Sequence, residues 1–123
     1  MPFGDQQFDF VLCNHVLEHV DDDLIALREI KRVLKPGGKA ILQVPFFKPV
    51  PDKTFSDAAV TDPREREKLF GQSDHIRRYG LDYAERIRSV GLNVMEEPFG
   101  FKLATEAVER YALVPETIFV ATK

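Results

Sequence analysis

Apolar positions along the 123-residue chain fall into two rhythms, short apolar runs and longer stretches at helical spacing. Phe8-Asp9-Phe10-Val11-Leu12-Cys13 is apolar apart from Asp9 and predicts a strand buried on both faces. After Asn14 to Val20 and the acids Asp21-Asp22-Asp23, the residues Leu24, Leu27, Ile30 and Leu34 recur at helical spacing. Acids lie at the start of this amphipathic helix and Arg28, Lys31, Arg32 and Lys35 towards its end, so both ends complement the helix dipole. Pro36-Gly37-Gly38 is the expected stop. Lys39 to Phe47 makes a second apolar strand, and strand, helix, strand at this spacing predicts a βαβ unit with a parallel pair.

The rhythm changes from Lys48 to Gly71, where Pro49, Pro51 and Pro63 interrupt a charged stretch. This segment reads as a long loop with room for a short helix at Arg64 to Phe70, and loops of such length are usually functional or disordered. Asp82 to Val90 predicts a helix with Tyr83, Ile87 and Val90 on one face and Gly91 at its exit. Leu92 to Met95 begins a third strand, Leu103, Ala107, Val108 and Tyr111 have helical spacing, and Glu116 to Thr122 alternates as a final strand. The expected fold is α/β, with about four strands and three or four helices.

Composition narrows the setting. With 17 Lys+Arg against 20 Asp+Glu the net charge is −3, which removes the broad attraction behind sequence-independent nucleic-acid or anionic-membrane binding. One cysteine excludes an intramolecular disulfide framework and fits a reducing compartment, with the cytoplasm as default. The N-terminus lacks the pattern of a signal peptide, and no apolar run approaches the roughly 20 residues that span a bilayer. Neither a nucleic-acid partner nor a membrane is expected.

Three groups of residues carry candidate chemistry. An α/β sheet places its ligand beyond the carboxyl ends of its strands, so Cys13, Asn14 and His15 are best placed to face one; Asn14 can equally cap the turn that follows. His15-Val16-Leu17-Glu18-His19 matches H-x-x-E-H, in which two helical histidines bind zinc and the glutamate acts as base. Glu96 or Glu97 would be a third ligand. A five-residue pattern with two free positions arises by chance, however, so no metal ligands are assigned: Val16, Leu17 and Val20 are expected to pack, with Glu18 and His19 towards solvent or a cleft. Asp74-His75-Ile76-Arg77-Arg78-Tyr79-Gly80 is the densest polar cluster outside the helices, suited to act as base, to clamp an anion, or to hold the loop. The glycines at 4, 37, 38, 71, 80, 91 and 100 form no G-x-G fingerprint or phosphate loop, and neither Ser56 nor Ser73 sits on a nucleophile elbow.

Phe8 to Val20, followed by Ala26-Leu27-Arg28-Glu29-Ile30-Lys31-Arg32-Val33-Leu34-Lys35-Pro36-Gly37-Gly38-Lys39, closely resembles the class I S-adenosylmethionine-dependent methyltransferases, in their small-molecule branch called type 11. The pattern "FD.V.....LEHV" with "L.EI.RVLKPGG" spans 31 residues, and 32 with Lys39. Looser likeness covers Gly80 to Val94 and Glu116 to Thr122. The resemblance implies a Rossmann-like sheet in the order 3-2-1-4-5-7-6, entered here at strand four. The chain would then supply strands 4-5-7-6 with flanking helices, while strands 1-3 are absent together with the glycine-rich cofactor loop. Its parts would be a βαβ unit over 1–47, a loop or lid over 48–79, and a helix-strand-helix-strand unit over 80–123.

The resemblance further implies that Cys13, Asn14 and His15 line the methionine and sulfonium end of S-adenosylmethionine in the complete domain. Phe47, His75, Arg78 and Tyr79 fall on the side of a small-molecule acceptor; His19, in the "LEHV" box, is counted with them, although packing and positioning are its first expectation. No catalytic side chain is assigned. The expected activity is methyl transfer to a small molecule, with the chain alone inactive. The alternative is a non-catalytic module that self-associates through Phe8 to Cys13, as a homodimer or swapped assembly built on an uncovered strand edge.

Overall fold

The computed structural model describes all 123 residues. Strand β1 (Phe8–Asn14) leads through an irregular turn to helix α1 (Asp23–Val33), which runs directly into β2 (Leu34–Gln43). The chain continues through β3 (Phe55–Ser56), α2 (Pro63–Phe70), β4 (Arg77–Arg78), α3 (Tyr83–Ser89), β5 (Asn93–Glu97), a 3₁₀ turn (Phe99–Lys102), α4 (Thr105–Arg110) and β6 (Ile118–Thr122). The main sheet has the order β1-β2-β6-β5: β1 and β2 are parallel, and β6 is antiparallel to both its neighbours. β3 and β4 form a separate short antiparallel pair. No helix is long and apolar enough to cross a membrane.

Helix α1 starts where Asp22 accepts a hydrogen bond from the Ile25 N–H at 2.9 Å, satisfying one of the donors that a helix start leaves orphaned. It ends earlier than the glycines suggest. Lys35 precedes Pro36 and is therefore steered to extended backbone, and Leu34 is already extended. The expected stop at Pro36-Gly37-Gly38 instead lies within β2, as an irregularity between the pairs Phe8/Leu34 and Phe10/Lys39. Gly37 has φ +75° there, and Gly38 leaves no room for a side chain between the Lys35 and Phe8 carbonyls.

The core lies between one sheet face and helices α1 and α3. Cys13, Ala40, Leu42, Phe119 and Ala121 meet Leu27, Ile30, Tyr83, Ala84 and Ile87. The other face is open, contrary to a β1 buried on both faces: Phe10 is 53% exposed and Leu12 62%. Registers Leu12/Ile41, Ile41/Val120 and Met95/Val120 set these four apolar residues in one row across the open face. The period of β1 is therefore that of a half-covered strand with apolar residues on both sides.

The segment from Lys48 to Gly71 is more ordered than a plain loop. Asp62 accepts from the Arg64 and Glu65 N–H groups at the start of α2, and Gly71 at φ +93° lets the chain leave it. Gly80 packs directly on the backbone of residues 51–54, and Thr54 is held through its N–H and hydroxyl by Asp82, each at 2.7 Å.

Candidate functional site

The carboxyl end of β1 is tied to the rest of the sheet by one buried amide. Gln43 donates to the Thr117 carbonyl at 3.1 Å and accepts from the Phe119 N–H at 2.8 Å, while the His15 N–H donates to the Gln43 carbonyl at 2.9 Å. Where β1 ends, Cys13 is buried but Asn14 and His15 are exposed. His15 has φ +52°, a left-handed conformation rare for a residue with a Cβ, and the side chain it carries is 57% exposed. Burial, and then the Glu18 charge, push the Cys13 thiol up to about 11, so it is neutral at physiological pH. The cap of α1 is Asp22, not Asn14.

Beyond His15 the chain forms a turn rather than the helix that the zinc reading of H-x-x-E-H needs. Leu17 packs in the core, but Val16 is 46% exposed and Glu18 is completely buried, opposite to the expected orientation of both. Arg77 holds this turn. Its guanidinium donates to the carbonyls of Leu17 at 2.7 Å, Val20 at 3.0 Å and Asp21 at 2.9 Å. Within the turn, both Glu18 carboxylate oxygens are buried without a hydrogen-bond partner. The nearest side-chain nitrogens are His15 Nδ1 at 3.5 Å and His19 Nε2 at 3.8 Å from Oε1. His75 arrives from the far side of the long loop, its ring 4.9 Å from that of His19 and 5.7 Å from Phe47.

Arg78 and Tyr79 serve the framework. Arg78 donates to the Phe47 carbonyl at 3.1 Å and the Pro49 carbonyl at 2.7 Å, fixing the strand exit, and Tyr79 is fully buried with its hydroxyl donating to Asp23 at 3.1 Å. Asp23 is buried and takes two further bonds from Arg86, at 2.6 and 3.0 Å. Burial raises its carboxyl, but the Arg86 hydrogen bonds, the charges of Arg77 and Arg86, and the Tyr79 hydroxyl together bring it below the ordinary value. Of the residues singled out in the sequence, Cys13, Asn14 and His15 share the strand end, and His19, His75 and Phe47 are adjacent. Arg78 and Tyr79 flank that group and point elsewhere. A separate cleft of about 480 Å³ has Phe46, Leu81, Tyr83, Phe101 and Phe119 on its walls.

Residues 1–42 match the family model described as a methyltransferase domain. A demethylmenaquinone methyltransferase of Staphylococcus carnosus is 43% identical over 54 residues, which is 39% of this chain and 22% of that protein. Over its first 42 residues the chain is similar to methyltransferase domains.

The chain is also 57% identical over 44 residues to an uncharacterised protein of Methanocaldococcus jannaschii, covering 36% of itself and 19% of that protein. The matched segment thus spans about a fifth of either curated relative. In fold, all of the chain overlays 65% of an S-adenosylmethionine-dependent methyltransferase from Mesorhizobium loti, at a TM-score of 0.65 and 15% identity. Sequence reasoning missed the burial of Glu18 and the Asp23–Arg86 pair. No local signal marks either: Glu18 sits in a mixed stretch with Val16, Leu17, His19 and Val20 that has no clear period, and Asp23 and Arg86 are 63 positions apart.

Proposed function

We propose that this chain supplies the acceptor-side wall of a class I methyltransferase that transfers a methyl group from S-adenosylmethionine to a small molecule. In this reading β1, β2, β6 and β5 are the family's strands four, five, seven and six. The observation that carries it is the exposure of Asn14 and His15, the latter in a left-handed conformation, at the carboxyl end of a parallel strand pair. Strand ends of this kind are where open α/β sheets take their ligands.

The residues suit one side of the cofactor. Asn14 and His15 present polar groups to solvent at the strand end, with the neutral Cys13 thiol behind them as apolar backing. When bound, the cofactor would supply a methyl carbon already activated for displacement by its positive sulfur. What remains for the chain is alignment of acceptor and methyl carbon and exclusion of water. Rigidity at the strand end serves that task, and Gln43 and Arg77 provide it. Phe47, His19 and His75 border the acceptor side in this reading, and Arg78 fixes the Phe47 carbonyl from behind.

The chain contains no G-x-G loop for the cofactor's other side, so the reading expects the opposite wall to come from further strands added at the free edge of β1. Isothermal calorimetry with S-adenosylmethionine tests it. The 123-residue chain alone should give no binding heat, and extending it by the sequence encoded upstream of Met1 should restore binding. Tight binding by the chain alone, or none after extension, would overturn the proposal.

A second reading is favoured by the uncovered edge and face of β1: a non-catalytic module that pairs with a second copy of itself. Phe10 and Leu12, both more than half exposed, would be its contact residues.

A further inference from the structure

The junction where the 15–19 turn meets the His75 loop has an odd electrostatic balance. One ligand-capable atom from each of Glu18, His19 and His75 lies within 4.8 Å of the others, and Glu18 and His75 are buried. A buried carboxylate with neither oxygen hydrogen-bonded is costly, and native structures rarely leave one so. The two imidazoles, by contrast, are held by their outer nitrogens. His75 Nδ1 lies 3.3 Å from the Phe70 carbonyl, and His19 Nδ1 lies 3.3 Å from the Asp74 carbonyl and 3.6 Å from its carboxylate. A carbonyl only accepts, so each Nδ1 carries the hydrogen, and a neutral ring so held has its lone pair on Nε2, an atom that in His19 lies 3.8 Å from Glu18 Oε1.

We infer that Glu18, His19 and His75 form a binding site for a divalent first-row transition ion of the zinc class. Two neutral imidazoles with one carboxylate is a donor set such ions favour, whereas calcium and magnesium require more oxygens. Partners on the outer nitrogens fix tautomer and ring orientation, as around metal-bound histidines generally. The frame is stiff: Arg77 grips the carbonyls on both sides of Glu18, and the Ile76 N–H donates to the Glu18 carbonyl at 3.1 Å, joining the two ligand-bearing segments. Tetrahedral ligands at about 2.0–2.1 Å from zinc stand roughly 3.3 Å apart, so closure asks for a small inward movement, which the partly exposed His19 ring can make. His15, with Nδ1 3.5 Å from Glu18 Oε1 and its ring largely in solvent, stands at the open side. An ion there keeps a position for water or for an oxygen of a bound molecule, beside the strand end.

This arrangement differs from the motif reading of H-x-x-E-H, in which Glu18 would be the base and His15 a ligand. Here Glu18 is a ligand and the third donor comes from 56 positions further along, His75. The inference does not rest on methyl transfer, and its test needs neither cofactor nor acceptor.

The 123-residue chain, stripped of metal by chelator and dialysis, is titrated with cobalt chloride and then with zinc sulfate. Expected are one ion per chain after gel filtration and the intense visible absorption of a four- or five-coordinate cobalt ion, displaced by zinc. His19→Ala, at a partly exposed ring, should weaken binding more than about 100-fold, beyond the 10- to 100-fold of an outer-sphere change, with its fold checked by circular dichroism. Glu18→Gln should do the same if it folds, as judged by circular dichroism; if it does not, His19→Ala decides. The absence of stoichiometric metal, a weak octahedral cobalt spectrum, or affinity unchanged in His19→Ala would each overturn the site.

Discussion

Single residues already separate structural from reactive roles. Cys13 stands at a ligand-facing strand end, yet burial and the Glu18 charge keep its thiol near 11, so only about a thousandth of it is thiolate at pH 8. Iodoacetamide at that pH should label folded protein far more slowly than protein unfolded in urea, as read by mass spectrometry; equal rates would contradict the burial. Asp23 has the opposite balance. Its carboxyl is lowered on folding, so the folded state binds fewer protons than the unfolded chain, and the stabilisation is present above the ordinary value of 3.8 and is lost as pH falls through the lower folded one. Arg86→Met, which strands the buried carboxylate, should cost about 3 kcal/mol at neutral pH, the low end for a broken buried pair because the Arg86 side chain is 25% exposed. Urea melts should show that deficit shrinking below pH 4, and a pH-independent deficit would remove the ion pair from the account. Asp23 was legible only as an acid at a helix start, because its partners Tyr79 and Arg86 lie 56 and 63 positions away.

At the scale of elements, the pattern of apolar residues was a sound guide to existence and a poorer one to ends and coverage. The parallel pair of β1 and β2 and the short helix α2 are present as the pattern expects, although β2 runs over Leu34–Gln43 rather than Lys39 to Phe47. Helix α1 stops three residues ahead of Pro36, since proline restricts the residue before it as well as its own position. The long segment after Phe47 reads as a loop because its order comes from contacts with remote residues, Thr54 with Asp82 and residues 51–54 with Gly80. A Cβ at Gly80 would lie 2.5 Å from the Lys53 carbonyl carbon and 2.7 Å from Thr54 N, both backbone atoms that cannot swing aside. Gly80→Ala should therefore destabilise by about 1–3 kcal/mol, lowering the thermal midpoint by several degrees. An unchanged midpoint in calorimetry would mean that the seam between the loop and α3 yields freely.

For the whole molecule the decisive feature is asymmetry of the sheet, whose one face is buried under α1 and α3 while the other shows the row Leu12, Ile41, Val120 and Met95. Under the self-pairing reading, light scattering on a concentrated sample should give a dimer, and Phe10→Glu with Leu12→Lys should give a monomer; a wild-type monomer at all concentrations would sink that reading. By itself the order of residues determined what is local: strand and helix periods, the Asp22 and Asp62 caps, the strand-end placement of Asn14 and His15, and the likeness to methyltransferase domains carried by residues 8 to 39. Periodicity and capping act over a few residues, so they can be read along the chain. Only the tertiary structure decided which face of β1 is covered, that Glu18 turns inward, and that His75 and Arg77 close on the 15–21 turn. Those outcomes depend on contacts across more than 50 positions, where burial and charge pairing are settled by the packing of the whole chain rather than by any neighbour in sequence.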